Sequence, residues 1–510
     1  MNLTAVLRDR AAEHPDRIAY IYDDQRVTNA ELDRRVDMVA SALRASGVRP
    51  GDRVAMLDKN SLAYVEVLFA CARIGAVQVP VNYRLAADEV AFIVDNAKAR
   101  ALIAGTEFVP ILDAIAGRLA HTRHVVVVDG ADHAYEDYAS WTDREPSRVD
   151  EPGDVFVQLY SSGTTGRPKG VMLTHDNFFA LLSTLDETWD LRPDSVLMVA
   201  MPMYHIAGTT LAVCGPWTGI PGVIMREPDP VGIARAIERH RVTHVFLVPV
   251  LLLFMQQIPE VRETDMSSLR LLLYGASPIS DEVLSGAMRL LPQTRFMQVY
   301  GLTETTGAIT YLPAEDHVPD SPRLRSAGIA NSTTELKIID PGTGDGLPAG
   351  KVGEIVCRTA QNMHGYWSLE QATKDTLLPG GWLRTGDAGY LDEDGYLYIH
   401  DRVKDMIISG GENIYPAEVE NVLMSHPAVA DCAVIGVPDE KWGETPTAIV
   451  VKAGDVAARD LIDFCRERLA HFKCPASVDF TEAIPRNPTG KVLKRELRAP
   501  YWAGQTRAVH

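Results

Sequence analysis

Residues 160–170 read YSSGTTGRPKG and follow an apolar run at 155–159 that predicts a buried strand. The hydroxyl residues of this segment alternate with glycines, which let a backbone approach a ligand closely and turn its N–H groups inward. Lys169 adds one cation, and Pro168 stiffens the backbone before it. The segment differs from the Walker pattern because no serine or threonine directly follows the lysine. It predicts a polyphosphate-binding loop, with a flexible surface loop as the alternative.

Helical and strand patterns alternate on both sides of this loop. Buried strands are predicted at 53–57, 102–104, 125–128, 155–159 and 245–248. Thr28 and Glu31 have the spacing of a capping box, and apolar residues at 32, 36, 39 and 43 then follow on one helix face. This alternation predicts an α/β fold with layered, largely parallel sheets.

A polar segment at Asp401-Arg402 predicts a domain boundary. Before it, residues 392–399 have the pattern of a hairpin with Asp394-Gly395 at the turn. After it, a helix from Pro416, strands at 433–435 and 448–451 and a helix at 459–469 form a separate α+β pattern. The prediction is a large N-terminal domain of several subdomains, residues 1–401, and a small mobile C-terminal lid, residues 402–510.

The composition is that of a globular protein and excludes some functions. The chain has 510 residues, 46% hydrophobic and 23% charged, which is enough for two or three domains. Its formal net charge of -18 argues against nucleic-acid binding, which needs a basic face. A site for a polyanion must therefore be locally basic or rich in backbone N–H donors.

Cysteine usage and the apolar runs indicate a cytoplasmic protein. The six cysteines have no C-x-x-C spacing and predict buried, reduced thiols; they are Cys71, Cys214, Cys357, Cys432, Cys465 and Cys474. The N-terminus lacks a signal-peptide core, and the apolar run at 245–255 is shorter than the roughly 20 residues of a membrane span. Peripheral membrane contact through Arg239-His240-Arg241 is left open, with a solvated helix end favoured.

Further motifs accompany the loop in a fixed order. Residues 275–278 read GASP, residues 300–304 read YGLTE, residues 385–387 read TGD and residues 485–491 read PRNPTGK. Together with residues 160–170 they resemble the signature of the adenylate-forming superfamily, which includes acyl-CoA synthetases, peptide-synthetase adenylation domains and firefly luciferases. The resemblance runs from residue 28 to about residue 497. It implies that a carboxylic acid is activated by ATP.

The resemblance implies a nucleotide site that holds Mg²⁺. Tyr300 would pack on adenine, Thr303 would bond the α-phosphate, and Glu304 with Thr164 would hold Mg²⁺, a hard cation that prefers oxygen ligands. Asp387 would accept the ribose hydroxyls. The residues assigned to ATP and AMP are Ser161, Ser162, Gly163, Thr164, Thr165, Lys169, Gly275, Ala276, Ser277, Gln298, Tyr300, Gly301, Thr303, Asp387, Arg402 and Lys491. Position 399 is assigned to this set as a tyrosine, although the chain carries Ile399 there.

The C-terminal motifs resemble those that carry out two successive half-reactions. Lys491 matches the superfamily's adenylation lysine, and Lys404 matches its hinge position. Residues 406–418 read MIISGGENIYPAE, and the Gly410-Gly411 turn would enter the site with coenzyme A after the small domain rotates. The residues assigned to coenzyme A are Gly410, Gly411, Trp442, Phe472 and Lys473. Cys474 departs from the pattern, because benzoate-type ligases have a basic residue there.

Residues 201–208 read MPMYHIAG and resemble the segment whose histidine borders the acyl carboxylate. His205 is therefore expected to orient the substrate, with a core histidine as the alternative. The predicted acyl pocket is small and apolar, and it consists of His205, Ile206, Val248, Ala276, Gly301 and Ala308. Such a pocket favours a hydrophobic monocarboxylate, which gains about 0.8 kcal/mol per buried CH₂. Resemblance of residues 401–418 and 438–444 to fatty acyl-CoA synthetases favours a medium or long fatty acid.

Alternative functions stay open on the same fold. They are an aromatic or polycyclic carboxylate–CoA ligase, a stand-alone adenylation enzyme that loads a carrier protein, a luciferase-like oxygenase and a nucleotide-binding regulator without chemistry. The joint presence of Lys169, Glu304, Asp387, Arg402 and Lys491 argues against the regulator. The expected partners are a carboxylic acid, ATP, coenzyme A and Mg²⁺, with no nucleic acid. Monomer and homodimer are both open.

Overall fold

The computed structural model describes residues 2–503 except 131–132, 147, 149, 152, 162–166, 278, 320, 410–411, 440 and 487–491. Its α-helices are α1 (Leu3–Glu13), α2 (Asn29–Ala45), α3 (Leu62–Arg73), α4 (Ala87–Asn96), α5 (Val109–Ile115), α6 (Tyr138–Thr142), α7 (His175–Leu182), α8 (Leu185–Thr188), α9 (Ile206–Thr218), α10 (Pro230–His240), α11 (Pro249–Gln257), α12 (Pro259–Glu263), α13 (Asp281–Leu290), α14 (Glu370–Thr376), α15 (Pro416–Met424), α16 (Ala458–Arg466) and α17 (Lys494–Trp502).

The strands of the described residues form four sheets. They are β1 (Ile18–Tyr22), β2 (Gln25–Thr28), β3 (Arg53–Leu57), β4 (Val77–Pro80), β5 (Ala99–Gly105), β6 (His124–Val128), β7 (Glu136–Asp137), β8 (Val155–Ser161), β9 (Lys169–Thr174), β10 (Leu197–Val199), β11 (Gly222–Ile224), β12 (His244–Leu247), β13 (Leu271–Gly275), β14 (Arg295–Leu302), β15 (Gly307–Leu312), β16 (Ile329–Ala330), β17 (Thr334–Ile339), β18 (Gly353–Thr359), β19 (Gly365–Tyr366), β20 (Leu377–Leu378), β21 (Trp382–Leu391), β22 (Leu397–Arg402), β23 (Ile407–Ser409), β24 (Glu412–Ile414), β25 (Val429–Asp439), β26 (Gly443–Lys452) and β27 (Ser477–Phe480).

The predicted α/β layering is confirmed in two large sheets. A nine-stranded sheet has the order β16-β15-β14-β13-β12-β10-β11-β1-β2, and its strands from β14 to β1 are parallel. An eight-stranded sheet has the order β19-β9-β8-β4-β3-β5-β6-β7. The five predicted buried strands are confirmed as β3, β5, β6, β8 and β12 within a residue or a few at their ends. Parallel strands need covered faces, and helices connect them.

The helix start predicted at Thr28 is half right. Thr28 Oγ1 accepts a hydrogen bond from the Glu31 backbone N–H over 3.2 Å, which satisfies one free donor at the start of α2. The Glu31 carboxylate instead accepts from Arg35 Nε over 3.0 Å, one turn further along the helix. The charge-assisted pair therefore replaces the return bond of the capping box.

The chain divides into two compact units. The first contains residues 1–335 and 357–383, and the second contains residues 336–356 and 384–510. In the second unit, β21 and β22 pair as an antiparallel hairpin in which Asp387 lies opposite Arg402. Gly395, at the predicted turn, has a φ of +84°. The hairpin is confirmed, while a hinge at residues 401–404 stays a prediction.

Most of two five-stranded sheets belongs to the second unit. One has the order β17-β18-β21-β20, with β22 also paired to β21. The other has the order β24-β23-β26-β25, with β27 paired to β26. Its core is apolar, and α15 and α16 cover it. The helices and strands predicted after residue 402 are confirmed in this small α+β body.

The predicted state of the cysteines agrees with the structure. All six are buried and free, and burial raises the pKa of each thiol. A raised pKa leaves the thiol protonated and unreactive. Among the described residues, no helix is both long enough and apolar enough to cross a bilayer.

Candidate active site

Three of the predicted motifs and the predicted pocket residue Val248 lie at one edge of the nine-stranded sheet. Strands β10, β12, β13 and β14 are parallel, so the segments that follow them emerge at the same edge. The ends of these strands and the segments that follow them contain His205, Val248, Gly275–Ser277 and Tyr300–Glu304, in that order. The carboxyl edge of a parallel sheet is where ligands of α/β proteins usually bind. The fold thus gathers residues that lie about 100 positions apart in the sequence.

The GAS turn after β13 has a strained backbone. Ala276 has a φ of +66°, in the left-handed region that residues with a Cβ rarely adopt. Gly275 precedes it, and a Cβ at Gly275 would lie 2.2 Å from the Val299 carbonyl oxygen of β14. Only glycine permits this approach of β13 to β14. Backbone strain of this kind concentrates at ligand sites, because the surrounding structure must hold it in place.

A bulge shapes the neighbouring strand. The register of β14 and β15 shifts between Tyr300 and Gly301, so that Gly301 lies opposite Ala308. A Cβ at Gly301 would lie 1.8 Å from the Gly307 carbonyl oxygen, and Gly307 has a φ of +108°. These glycines bring the backbone of two predicted pocket residues, Gly301 and Ala308, side by side.

Glu304 connects the edge of the nine-stranded sheet to the phosphate loop. Its Oε1 accepts hydrogen bonds from Ser161 Oγ over 3.1 Å and from Tyr366 Oη over 3.0 Å. Ser161 and Lys169 lie opposite each other at the ends of β8 and β9, where the loop begins and ends. The Lys169 ammonium lies 4.7 Å from the centroid of the Tyr366 ring. Glu304, the predicted metal ligand, and Lys169, the predicted phosphate-binding cation, therefore both contact Tyr366.

His205 is positioned by the turn before α9. Asn60 is buried; its Oδ1 accepts from the Met203 backbone N–H over 2.8 Å, and its Nδ2 donates to the Met201 carbonyl over 3.0 Å. Thr209 Oγ1 donates to the Met203 carbonyl over 2.8 Å. The imidazole ring lies 4.4 Å from the Tyr204 ring, and its Nε2 is buried without a hydrogen-bond partner among the described residues. An unpaired buried nitrogen is costly unless a ligand satisfies it, which fits the predicted substrate contact.

The His205 ring is expected to stay neutral throughout the physiological pH range. Burial, with a smaller contribution from the positive charge of Arg84, lowers the pKa of His205 to about 4. We therefore expect the Cε1–H resonance of His205 not to titrate between about pH 5.5 and pH 8, as followed by NMR and assigned with His205→Asn. Because the folded pKa lies below the unfolded one, this histidine also reduces stability as the pH falls from about 6.5 toward 4. A midpoint near 6.5 would contradict the neutral form.

The residues predicted to form the acyl pocket lie in the first unit, and their role stays a prediction. A Cβ built at Gly307 would lie 3.8 Å from Ile206 Cγ1 and 3.4 Å from Leu181 Cδ2, so Ile206 faces the Gly307 backbone. Val248 begins α11 directly after β12, beside the strand that carries Ala276. Leu181 also lies beside Gly307, and the motifs did not include it. It belongs to α7 and is brought there by packing.

The residues predicted to bind the ribose lie on neighbouring strands of the second unit. Asp387 is 5% exposed, its backbone N–H donates to Thr385 Oγ1 over 3.1 Å, and Arg402 is its register partner. The assignment of a tyrosine at position 399 is wrong. Ile399 stands there and is 37% exposed, while the neighbouring Tyr398 is on the opposite face of β22 and stacks on Tyr390. Neighbouring residues of a strand point to opposite faces of the sheet, so the role predicted for position 399 does not pass to Tyr398.

Two of the residues predicted to bind coenzyme A, Trp442 and Phe472, are surface groups of the second unit. Trp442 and Phe472 are both about half exposed, and Lys441 lies over the Trp442 ring. Lys473 Nζ contacts both carboxylate oxygens of Glu418 at 2.8 Å, so its charge is already paired. Cys474, where a basic residue was expected from benzoate-type ligases, is buried in the core of this unit. The Trp442 and Phe472 assignments stay predictions.

Several predicted site residues lie outside the described residues. They are Ser162, Gly163, Thr164, Thr165, Gly410, Gly411 and Lys491. The backbones of Arg402 and Lys404 are described, but their side chains are not. Around the Lys491 loop, Arg486 pairs with Val492 as an isolated bridge, and Arg486 Nη2 contacts both oxygens of Asp431 at 2.7 and 2.8 Å. The roles of all these residues stay predictions from the resemblance.

Comparison with known proteins agrees with the fold. The AMP-binding enzyme family matches residues 7–367, and the AMP-binding enzyme C-terminal domain matches residues 418–491. Fatty acid–acyl-carrier-protein ligase ScoC of Streptomyces coeruleorubidus is 41% identical over 98% of this chain and 96% of its own length. Feruloyl-CoA synthase of Amycolatopsis sp is 41% identical over 96% of this chain and 97% of its own length.

A solved structure shares the whole architecture. The Mycobacterium tuberculosis fatty acyl CoA synthetase superposes with a TM-score of 0.80 at 36% identity, and the match covers 98% of each chain. The predicted division into a large N-terminal and a small C-terminal domain is that of this structure. The family matches cover most of the chain, and both relatives are similar almost from end to end. This chain therefore belongs to the AMP-binding enzyme family of adenylate-forming acid–thiol ligases.

Proposed function

We propose that this chain is an ATP-dependent acyl-CoA synthetase for a hydrophobic carboxylic acid. The observation that carries the proposal is the contact of Glu304 with Ser161 beside Lys169, which joins the predicted metal ligand to the phosphate loop. The acyl-pocket residues lie at the same sheet edge as Glu304. A carboxylate substrate at His205 and a triphosphate at the loop would thus approach each other there.

In the first half-reaction the substrate carboxylate attacks the α-phosphorus of ATP, an acyl-adenylate forms and pyrophosphate leaves. Both reactants are anions, so the barrier is largely electrostatic. Lys169 and the loop N–H groups would hold the phosphates, and Lys491 would stabilise the charge that develops at the α-phosphate. The protein supplies no nucleophile in this scheme. Its contribution is to position the two anions and to screen their repulsion.

The residues at Glu304 fit a hard divalent cation. Oε1 is held by two hydroxyl donors, and no described residue donates to Oε2, so one carboxylate oxygen remains for a ligand. Oxygen donors are what Mg²⁺ prefers, and it usually binds through one or two carboxylates together with phosphate oxygens. Bound there, Mg²⁺ would neutralise phosphate charge as the acid approaches. Glu304 is thus the residue of this chain that would hold it, with Thr164 as the second predicted ligand.

In the second half-reaction the thiolate of coenzyme A attacks the acyl carbonyl, the thioester forms and AMP leaves. Lys491 and an incoming thiol would compete for the same side of the acyl-adenylate. We propose that the C-terminal domain rotates about Lys404 between the two steps, so that the loop at 410–411 replaces the lysine loop. The domain division at 401/402 is part of this proposal.

The substrate proposed is a medium or long fatty acid, with an aromatic acid as the second candidate. Ile206, Val248, Ala276 and Ala308 add apolar or small side chains to the pocket, which favours burial of an alkyl chain. The ScoC relative is named for a fatty acid, and the Amycolatopsis relative is named for ferulate, an aromatic acid. The same relatives keep a carrier protein open as an alternative acceptor to coenzyme A.

The deciding experiment measures Mg²⁺-dependent AMP release with a panel of C2 to C20 acids, benzoate and ferulate, each with and without coenzyme A. AMP and acyl-CoA formed together on hydrophobic acids would support the proposal and rank its substrates. Pyrophosphate exchange without thioester, rescued by a phosphopantetheinylated carrier protein, would favour the carrier-loading alternative. No turnover with any acid would overturn the proposal.

Replacing Lys404 with proline separates the two half-reactions. Proline fixes φ and restricts the preceding residue, so a rotation at this position is expected to be blocked. We expect pyrophosphate exchange within about threefold of the parent and thioester formation slowed by at least about tenfold, as for a gating step. Single-turnover quench-flow from supplied acyl-adenylate measures the second step. Ala458→Pro, at the first position of α16 where proline is tolerated, is the control. Equal loss of both half-reactions would contradict the hinge.

A further inference from the structure

Tyr366 reaches the predicted metal ligand from the other large sheet. It belongs to β19, a two-residue strand that pairs antiparallel with β9 so that Tyr366 lies opposite Val171. The side chain is 7% exposed, and its hydroxyl donates to Glu304 Oε1 over 3.0 Å. The same ring lies under the Lys169 ammonium. None of the sequence motifs for nucleotide binding includes this tyrosine.

The two donors to Glu304 occupy the same oxygen. Ser161 Oγ and Tyr366 Oη both donate to Oε1, while Oε2 receives no hydrogen bond from the described residues. A carboxylate held in this way cannot rotate freely about its last bond. Its second oxygen therefore keeps one direction before any ligand arrives. Outer-shell hydrogen bonds of this kind orient metal ligands, and their loss weakens metal affinity.

The backbone around Glu304 is held independently of the Tyr366 side chain. The Met363 N–H donates to the Glu304 carbonyl over 2.8 Å, and Gln361 Nε2 donates to the Thr305 carbonyl over 3.2 Å. The Tyr366 N–H itself donates to Thr373 Oγ1 over 2.9 Å. Removing the phenol hydroxyl therefore leaves the turn and the strand intact. Its effect can be measured apart from folding.

We propose that Tyr366 is a positioning residue that aims Glu304 Oε2 at the divalent cation bound with ATP. The assignment of the cation to Glu304 rests on the proposed function. The hydroxyl acts through Glu304 and contacts neither ATP nor the acid in this scheme. Its loss leaves the ATP contacts in place and lowers the affinity for the metal–nucleotide complex.

The first test compares Tyr366→Phe with the parent in binding of Mn²⁺ and ATP, followed by the electron paramagnetic resonance of Mn²⁺. We expect the dissociation constant of Mn²⁺ in the presence of saturating ATP to rise about tenfold, the scale of a lost outer-shell hydrogen bond. ATP affinity in EDTA is expected to stay within about twofold, because the hydroxyl is not an ATP contact. Unchanged Mn²⁺ affinity would overturn the proposal.

A matched control and a coupling experiment exclude a general structural effect. Tyr138 Oη donates to Glu66 Oε2 over 2.7 Å, a tyrosine–glutamate pair away from the site. Tyr138→Phe should leave Mn²⁺ affinity unchanged. In a Glu304→Gln background, Tyr366→Phe should have no further effect, because the group through which it acts has lost its charge. A tenfold effect that persists in that background would overturn the proposal.

The binding assay also separates this proposal from the proposed function. The assay requires Mn²⁺ and ATP but no acid and no coenzyme A. If no acid is turned over, the ligase proposal fails. The effect of Tyr366→Phe on Mn²⁺ binding is then still measured independently and tests the positioning role. If acids are turned over, Tyr366→Phe should also raise the half-saturating Mg²⁺ concentration of ATP–pyrophosphate exchange with dodecanoate by about tenfold. An unchanged Mg²⁺ requirement would contradict it.

Discussion

Replacing Lys491 with alanine is expected to slow acyl-adenylate formation by roughly 10²–10³-fold or more, the scale of losing a principal electrostatic stabiliser. The base of its loop is anchored by the Arg486–Val492 bridge, and Arg486 is held by Asp431. Initial rates of ATP–pyrophosphate exchange with dodecanoate measure the effect.

The second half-reaction provides the internal comparison for this variant. Thioester formation from a supplied acyl-adenylate should change by less than about threefold, because the lysine acts on the phosphate and not on the acyl carbonyl. Lys452→Ala is the matched control, since Lys452 is a surface lysine of the same domain that lies over the Phe480 ring. Adenylation near the parent rate in Lys491→Ala would refute the role.

Replacing Glu304 with glutamine is expected to reduce adenylation by at least about 10²-fold, because it removes a charged oxygen from the proposed metal site. The amide carbonyl can still accept hydrogen bonds from Ser161 and Tyr366, so the local contacts are kept. The Mg²⁺ requirement should rise in the same variant. Exchange rates over a Mg²⁺ titration measure both effects.

A second glutamate serves as the control for charge removal. Glu66 is buried, accepts from Tyr138 and pairs with Arg35, which keeps Glu31 as another partner. Glu66→Gln should leave the Mg²⁺ requirement of adenylation unchanged. If Glu304→Gln keeps its adenylation rate within threefold of the parent at every Mg²⁺ concentration, Glu304 is not the metal ligand.

Local patterns predicted the fold well where a single element carries the signal. The runs predicted as strands correspond to β3, β5, β6, β8 and β12, which are short, uninterrupted and mostly buried. The sequence indicates a helix start at Thr28 because the capping hydrogen bond joins two residues only three positions apart, Thr28 and Glu31. The hydrogen bond expected from the Thr28 backbone N–H to the Glu31 carboxylate is replaced, because that carboxylate accepts from Arg35.

Site residues that belong to a sequence motif could be predicted from the sequence. Site residues that are placed by long-range strand pairing could not. Gly275 and Tyr300 lie near the carboxyl ends of neighbouring parallel strands, so their position at one edge is a consequence of the fold class. Tyr366 lies on a strand of two residues, too short to show any periodicity, and it reaches the site only because β19 pairs with β9. Leu181 is likewise placed by packing. The error at position 399 is one of residue identity and not of folding, because the sequence has Ile399 there and its tyrosine is Tyr398.

The parallel pairing of β1 with β11 affects how this protein is made on the ribosome. Tyr20 of β1 lies beside Gly222 of β11, and about 200 residues separate them in the sequence. At about 5–20 residues per second, translation leaves the edge of β1 exposed for roughly 10–40 s before its partner emerges. An open strand edge during that interval can pair with other nascent chains. Slower translation, or shortage of a chaperone that covers this edge, should therefore lower the yield of active enzyme without any change in the stability of the finished protein.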